Sequence, residues 1–524
     1  MFVVLSRWPG VRSSLPLVLS LLLVVIALLR VFGTYPVLSQ AADEPATLAA
    51  GMEWLDRGTY EVDPLHPPLA RVASALGPFL SGLRFPRSTE PGNDNLSMPF
   101  KVGDQILNQR FSYWHNLTLA RLGMIPFLLL GAAVVFLWAR ELGGDGAAFV
   151  SVLLFTTLPP MLAFSGFAYT DMPVGVLVAA SAFVFRKWLA RPSALVSVLC
   201  GIVVALAVLS KFTALLFVPA CWLAITACFL WLGPKDSFPI RVAIRNLPWC
   251  AVAFAILIWG GYRFSLGPLR SVFARPEHDI QALHLPGAAQ TILARAMNVP
   301  IPAPALIKGL SWNLQFNLEG RPSYLLGDIR RSGWWYFFLV VLAVKTPLSF
   351  LLLAMIGGVT TVLDSVRKRD WQVLAPVACA LALLLSSMPV KVNYGVRHIL
   401  CVYAFLSIAA GLGALKLWQN GNQPLRWSGR AFLIVLVAWL LVSTSRIHPD
   451  YVAYFNELVG QHPDNVLLWG CDYDCGQDIA RLASLSRERH IAYLSLAVFG
   501  NNDFTRMGLP HFKSSLPIRL QADG

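Results

Sequence analysis

Charge is scarce in this sequence. Only 13% of its 524 residues are Asp, Glu, Lys or Arg, against about 25% in ordinary soluble domains. A soluble fold of this length would need a charged shell around its core, and the shortage excludes one. Acids are scarcer still, with 28 against 42 basic residues and a formal net charge of +14. That excess is no nucleic-acid footprint, because the basic residues gather in short loops between apolar runs and form no long stripe. The sequence also lacks a phosphate-binding glycine loop, a dinucleotide fingerprint and a nucleophile elbow, so nothing supports nucleotide-driven transport or serine hydrolysis. Internal repeats and low-complexity tracts are absent as well.

What abounds is apolar. Hydrophobic residues make up 56% of the chain, and they cluster into runs near the ~20 residues a helix needs to cross a membrane. Leu15–Gly33, Leu117–Ala139 and Trp249–Tyr262 with its flanks are of this kind. Arg7 and Arg12 precede the first run and hold the amino terminus on the cytoplasmic side. Ser39-Gln40-Ala41 resembles a signal-peptidase site, but the run before it is read as a retained anchor, because the segments that follow require that helix. Short basic loops then alternate with longer polar segments. They lie around Arg140, around Arg186, Lys187 and Arg191, around Lys235, Arg241 and Arg245, at Arg367-Lys368-Arg369, and at Arg426 and Arg430. Lys211 marks a very tight turn on the other side. Pro347 divides Trp334–Leu363 into an interfacial helix and a crossing.

The expectation is an all-α polytopic protein of the cell (inner or plasma) membrane, with about eleven transmembrane helices. Residues 1–445 form the transmembrane module, with external loops at 35–116 and 263–333, and residues 446–524 form an external carboxyl-terminal tail. Only Glu141, Asp145, Asp236, Asp364 and Asp370 of the 28 acids fall on the cytoplasmic side. Acids contribute little to topology, so this skew points to chemistry on the outer face.

Cys200, Cys221, Cys228, Cys250, Cys379 and Cys401 lie within or beside apolar segments and read as small buried hydrophobes. Cys471 and Cys475 lie in the polar tail. They are either a local disulfide in an oxidising compartment or two free thiols. A zinc site would need a second pair of ligands.

Two segments of the first external loop carry candidate chemistry. Asp43-Glu44 follows the first span closely. It is either a solvated pair opening a helix at Pro45 or the source of a general base beside an acceptor hydroxyl. Further on, Asp63-Pro64-Leu65-His66-Pro67-Pro68-Leu69-Ala70-Arg71 is a proline-stiffened turn leading into a helix. Together the two segments resemble the dolichyl-phosphate-mannose–protein mannosyltransferase family and its bacterial relatives, the lipid A aminoarabinose transferases, which share the C-type glycosyltransferase (GT-C) fold. That family has an Asp-Glu pair after the first span and then an Asp-x-His-Pro-Pro-Leu-x-Lys segment. Asp43, Glu44, His66, Pro67, Pro68 and Leu69 match. Arg71 stands where the family has Lys, and the acid before the histidine lies three residues upstream, at Asp63.

The likeness extends to Ala120-Arg121-Leu122, Trp138–Gly144, Pro159–Asp171, Ser210-Lys211-Phe212, Tyr324–Gly327, Lys345-Thr346-Pro347 and Arg397-His398. In the tail, Trp469-Gly470 and Gly476-Gln477-Asp478 resemble a contiguous Asp-Trp-Gly-Gln-Asp element, here split by Cys471–Cys475.

The resemblance implies transfer of a sugar from a polyprenyl-phosphate donor to an acceptor hydroxyl of a protein, lipid or glycan. Asp43 and Glu44 would be the catalytic pair. His66, Asp63 and Asp171 would position the acceptor or the loop, although Asp171 also reads as a simple interfacial cap. The donor phosphate calls for cations, and Arg71, Arg121, Lys211, Arg263, Lys345 and Arg397 are the candidates. Each of the last five, taken alone, is an ordinary snorkelling residue at a helix end. Membrane lipids, the lipid-linked sugar and an acceptor are the expected partners, with no nucleic acid. No organic cofactor or metal site is expected, while dependence on a divalent metal stays open. The rivals are a lipid-linked-sugar transporter, which would line both membrane halves with charge, and an oligosaccharyltransferase or ligase.

Overall fold

The computed structural model describes residues 14–87, 98–234, 238–273, 290, 293, 295–419, 423–468, 470–496 and 507–514. Arg7, Arg12, Lys235, Asp236 and Trp469 lie outside them. The first helix, Leu15–Phe32, sets the pattern. Ser20, Val24, Ala27 and Val31 form one buried stripe, while Leu21, Leu22, Val25, Ile26 and Leu29 face outward. A helix apolar on every side belongs in a membrane rather than on the surface of a soluble core. Among the described residues eight helices are long and apolar enough to cross, and two further apolar helices, Ala194–Ser210 and Trp371–Ser387, are shorter. The chain is a multi-pass membrane protein.

Two expected spans share one helix, Ile125–Thr157, which is broken at Gly144 (φ 74°, ψ −171°). Glycine alone adopts that left-handed conformation without a steric cost, so the chain reverses there without a loop. Helices Asp171–Ala190 and Cys401–Gln419 are buried along most of their length and form the centre. Ala404, Ser407, Ala409, Ala410, Gly411 and Ala414 keep the second of these narrow, so Ile125–Thr157 and Leu348–Lys368 pack closely against it. Helix Phe337–Lys345 ends just before Thr346-Pro347, and a new helix starts at Leu348, as a proline without an N–H donor requires.

The basic loops meet at one end of the bundle. There Lys187 pairs with Glu141 at 2.5 Å, Arg140 with Asp145 at 2.6 Å and Lys416 with Asp364 at 2.6 Å, and Arg186 bonds Glu141 and Gln372. At the other end the first polar loop folds into helices Glu44–Met52, Pro68–Leu80 and Met98–Leu107, with Tyr113–Leu122 closing it. They share a separate core that includes Leu48, Met52, Ala75, Phe85, Ile106 and Leu117. The buried Glu53 carboxylate organises the turn behind them, accepting from Thr59 Oγ1 (2.6 Å) and from the N–H groups of Glu61 and Val62 (3.0 Å each). The second polar segment contributes an antiparallel pair, Leu266–Pro268 with Pro300–Pro302, a helix Pro304–Glu319, and a hairpin, Ser323–Leu325 with Asp328–Arg330. In the tail, helix Ile479–Glu488 precedes a parallel pair, Tyr493–Leu496 with His511–Ser514.

Candidate active site

The loop ends converge on a cavity of about 490 Å³. Three ion pairs ring it. Asp43 Oδ2 accepts from Arg397 Nη1 at 2.6 Å, Asp63 Oδ2 from Arg71 Nη2 at 2.6 Å, and Asp171 Oδ1 from Lys211 Nζ at 2.5 Å. Each pair is built from distant segments. Asp43 precedes helix Glu44–Met52, and Arg397 lies in the short turn Val396–Ile399. Asp171 opens helix Asp171–Ala190, and Lys211 forms the tight turn between Ala194–Ser210 and Ala214–Leu232. Arg71, on Pro68–Leu80, also donates to the Tyr60 hydroxyl (3.3 Å) and to the Asp63 carbonyl, while Tyr60 donates to the His66 carbonyl (2.6 Å). The proline-stiffened turn is thereby wrapped around a guanidinium.

Among the three carboxylates, Asp43 is the accessible one. Its side chain is 45% exposed, against 17% for Asp63 and 3% for Asp171. His66 lines the same cavity and has a buried Nδ1 without a partner. Burial, followed by the cations Arg71, Lys211 and Arg397, holds its imidazole well below the usual histidine range. It is a neutral group at neutral pH.

Asp43, Asp63, His66, Arg71, Asp171, Lys211 and Arg397 are thus brought together. The other candidates are not. Glu44 is 1% exposed and takes a two-point contact from the fully buried Arg121, with Nε–Oε1 at 2.9 Å and Nη2–Oε2 at 2.8 Å. Glu44 also accepts the N–H groups of Ala41 and Ala168 at 2.8 Å. Arg121 directs its remaining donors at the Leu38 and Ser39 carbonyls (2.8 and 2.9 Å). Expected at the chemistry, this pair instead welds the chain behind it, because every polar atom is taken by protein.

Lys345 and Arg263 were expected at the phosphate, and both lie away from the cavity. The Lys345 ammonium donates to the carbonyls of Val452 (2.7 Å) and Asp472 and sits 3.9 Å from the Phe455 ring centroid. Arg263 is exposed, donates to the Trp54 carbonyl (2.7 Å) and stacks on the Trp54 ring. Cys471 and Cys475 are joined by a disulfide.

Several cavity residues escaped the sequence reading. Asn313 and Asn317 lie one helical turn apart on Pro304–Glu319, and that spacing was a usable signal. Tyr169 and Tyr394 carried none beyond their neighbours, and His398 stood in the sequence only as part of Arg397-His398, without a role of its own. At the far side of the cavity Leu215, Leu216 and Leu314 are exposed as well as lining, so the charged end is continuous with an open apolar mouth. Among the described residues no group of three or more His, Cys, Asp or Glu is arranged to hold a metal ion. A second cavity, about 440 Å³, lies at the opposite end beside Arg191, Lys368 and Asp370 and contains none of the three pairs.

No protein-family model and no curated protein sequence matches the chain. Solved structures do. ArnT from Cupriavidus metallidurans in the apo state superposes with a TM-score of 0.51 at 14% identity, over 94% of this chain and 84% of that one. The apo oligosaccharyltransferase of Archaeoglobus fulgidus superposes with a TM-score of 0.53 at 11% identity, over 92% of this chain and 59% of that one. At such identities the likeness speaks for architecture, and the architecture of this chain is the C-type glycosyltransferase fold.

Proposed function

We propose that the protein is an inverting glycosyltransferase, which moves a sugar from a polyprenyl-phosphate carrier to an acceptor hydroxyl at the non-cytoplasmic face of a cell membrane. One observation carries the reading. The half-exposed carboxylate of Asp43 sits against Arg397 in a cavity that is charged at one end and apolar and open at the other. A polyprenyl-phosphate sugar has the same division, with a polar sugar, an anion at the interface and a hydrocarbon tail in lipid.

The acceptor O–H gives its proton to Asp43, and the oxygen forms a bond to the anomeric carbon. The bond from that carbon to the phosphate oxygen breaks, and its electron pair leaves with the polyprenyl phosphate. Charge growing on that leaving group is met by Arg397, Lys211 and Arg71. Nε of Arg397 and Nε of Arg71 are buried donors without a protein partner, which suits an incoming anion. A single displacement inverts the anomeric configuration. Membrane orientation follows the same reading, with the basic loops cytoplasmic and the cavity outside.

Titration of the purified protein in lipid nanodiscs with undecaprenyl phosphate tests the donor half. Saturable binding is expected. Arg397→Ala should weaken it at least about tenfold, since a hydrogen bond to a charged group contributes about 1.5–3 kcal/mol. Wild-type protein that shows no saturable binding would sink the reading. Mass spectrometry of surface glycans and lipids, with and without the protein, would then identify sugar and acceptor.

A further inference from the structure

We propose that the disulfide-closed loop Cys471–Cys475 is a positioning element for the Asp43–Arg397 pair, so that a segment remote in sequence sets the geometry of the transfer site. The inference rests on the function proposed above for that pair.

Cys471, Asp472 and Cys475 are buried while Tyr473 is exposed, and the loop touches both approaches to the pair. On one side the Cys475 carbonyl accepts the Ala42 N–H at 2.8 Å, and the Gln477 carbonyl accepts both the N–H and the hydroxyl of Ser39 at 2.8 Å. These bonds hold the backbone that delivers Asp43. On the other side Asp472 Oδ1 accepts the Val396 N–H at 2.9 Å, one residue before Arg397. The approach there is so close that a Cβ on Gly395 (φ +75°) would stand 2.3 Å from that oxygen.

A third contact passes between the two sides. The Asp43 N–H donates to the Tyr169 hydroxyl at 3.1 Å, and that hydroxyl lies 3.7 Å from Cys471 Sγ. A disulfide sulfur carries no hydrogen, so Tyr169 is the donor in that contact. The Arg397 guanidinium lies over the same tyrosine ring, 5.3 Å from its centroid. From behind, Lys345 donates to the Asp472 carbonyl.

Residues 470–476 form no helix or strand, so the loop keeps its shape through the cross-link and through the Cys475 N–H bond to Gln477 Oε1 at 2.7 Å. Closing so short a loop removes alternatives that an uncrosslinked segment would sample. The loop then dictates where Asp43 and Arg397 stand relative to one another.

Hydrogen–deuterium exchange on the full chain in nanodiscs tests this, followed at the Ala42 and Val396 amides. In Cys471→Ala/Cys475→Ala exchange should rise at least about tenfold at both amides, and in Asp472→Ala at Val396, while the central helices keep their protection. Asp472→Asn should restore Val396, because its amide oxygen still accepts that N–H. Affinity for undecaprenyl phosphate should fall about tenfold in the first two variants and recover in the third. Unchanged exchange at Ala42 and Val396 in the first variant, or at Val396 in the second, would overturn the proposal. So would protection lost evenly across the central helices in all three variants, since the loop would then be a general requirement for folding. If exchange responds as expected while Arg397→Ala leaves undecaprenyl phosphate affinity untouched, positioning stands and the phosphate reading fails.

Discussion

Asp43 and Glu44 are neighbours in sequence with opposite fates. Glu44 is sealed, and both its oxygens are matched by Arg121 and two backbone N–H groups. Asp43 has one charged partner and a side chain 45% exposed to the cavity. The difference comes from direction. As the helix starts, one side chain turns into the packing between Leu38–Ala41 and Ala168, and the other turns toward Arg397. A carboxylate whose every lone pair is occupied can hold a fold but cannot take up a proton from a substrate. One with a free face can do so.

The comparison breaks most sharply at Asp43. Asp43→Asn keeps the shape and an acceptor for Arg397, so it should cost less thermal stability than breaking the sealed pair, while turnover falls about 10²–10⁴-fold, the typical worth of a general base. Undecaprenyl phosphate should bind at least as tightly to this variant, because a competing anion has left Arg397. Weaker binding would mean that Asp43 organises the site rather than serving as the base. At the sealed pair the loss should appear as stability. Arg121→Met strands a buried carboxylate, which costs about 3–5 kcal/mol, and the melting temperature should drop accordingly. The double variant Glu44→Met/Arg121→Met should recover part of the loss, since it strands no charge. A double variant no more stable than the single one would show that geometry, not charge, makes this pair matter.

His66 sharpens the contrast more gently. It faces Arg71, Lys211, Arg397 and His398, and burial, followed by the cations Arg71, Lys211 and Arg397, lowers its pKa. As pH falls through the ordinary histidine value of about 6.5, the unfolded chain takes up a proton that the folded chain refuses, so folded stability declines there. Replacing His66 with Gln should flatten that decline in melts between pH 7 and pH 5. An identical slope in both proteins would assign it to other groups.

The sequence made the membrane spans legible because apolar length and basic loops are local properties. Asp43 and the His66–Arg71 turn were legible through a motif. Which cations face the cavity was not. Arg121 is matched to Glu44 across 77 positions, and Lys345 to Val452 across 107. No local signal distinguishes either from Lys211, which sits at a similar helix end. The first loop, read as a polar segment, owes its separate core to residues such as Leu48, Phe85 and Ile106, spaced too far apart to register as a run.

The two short apolar helices have a consequence for the lipid around them. Ala194–Ser210 and Trp371–Ser387 have 17 residues each, and at ~1.5 Å per residue they reach about 25 Å, short of the ~30 Å hydrocarbon layer. Both lead toward the cavity, the first into Lys211 and the second into Val390 and Val392, and both keep leucines exposed to lipid. Local thinning of the bilayer against these helices is the expected adjustment, and it would draw the headgroup plane down toward the cations. Thicker membranes resist that thinning, so turnover in reconstituted bilayers should fall as acyl chains lengthen at constant headgroup. A flat response would show that tilt and neighbouring helices absorb the mismatch instead.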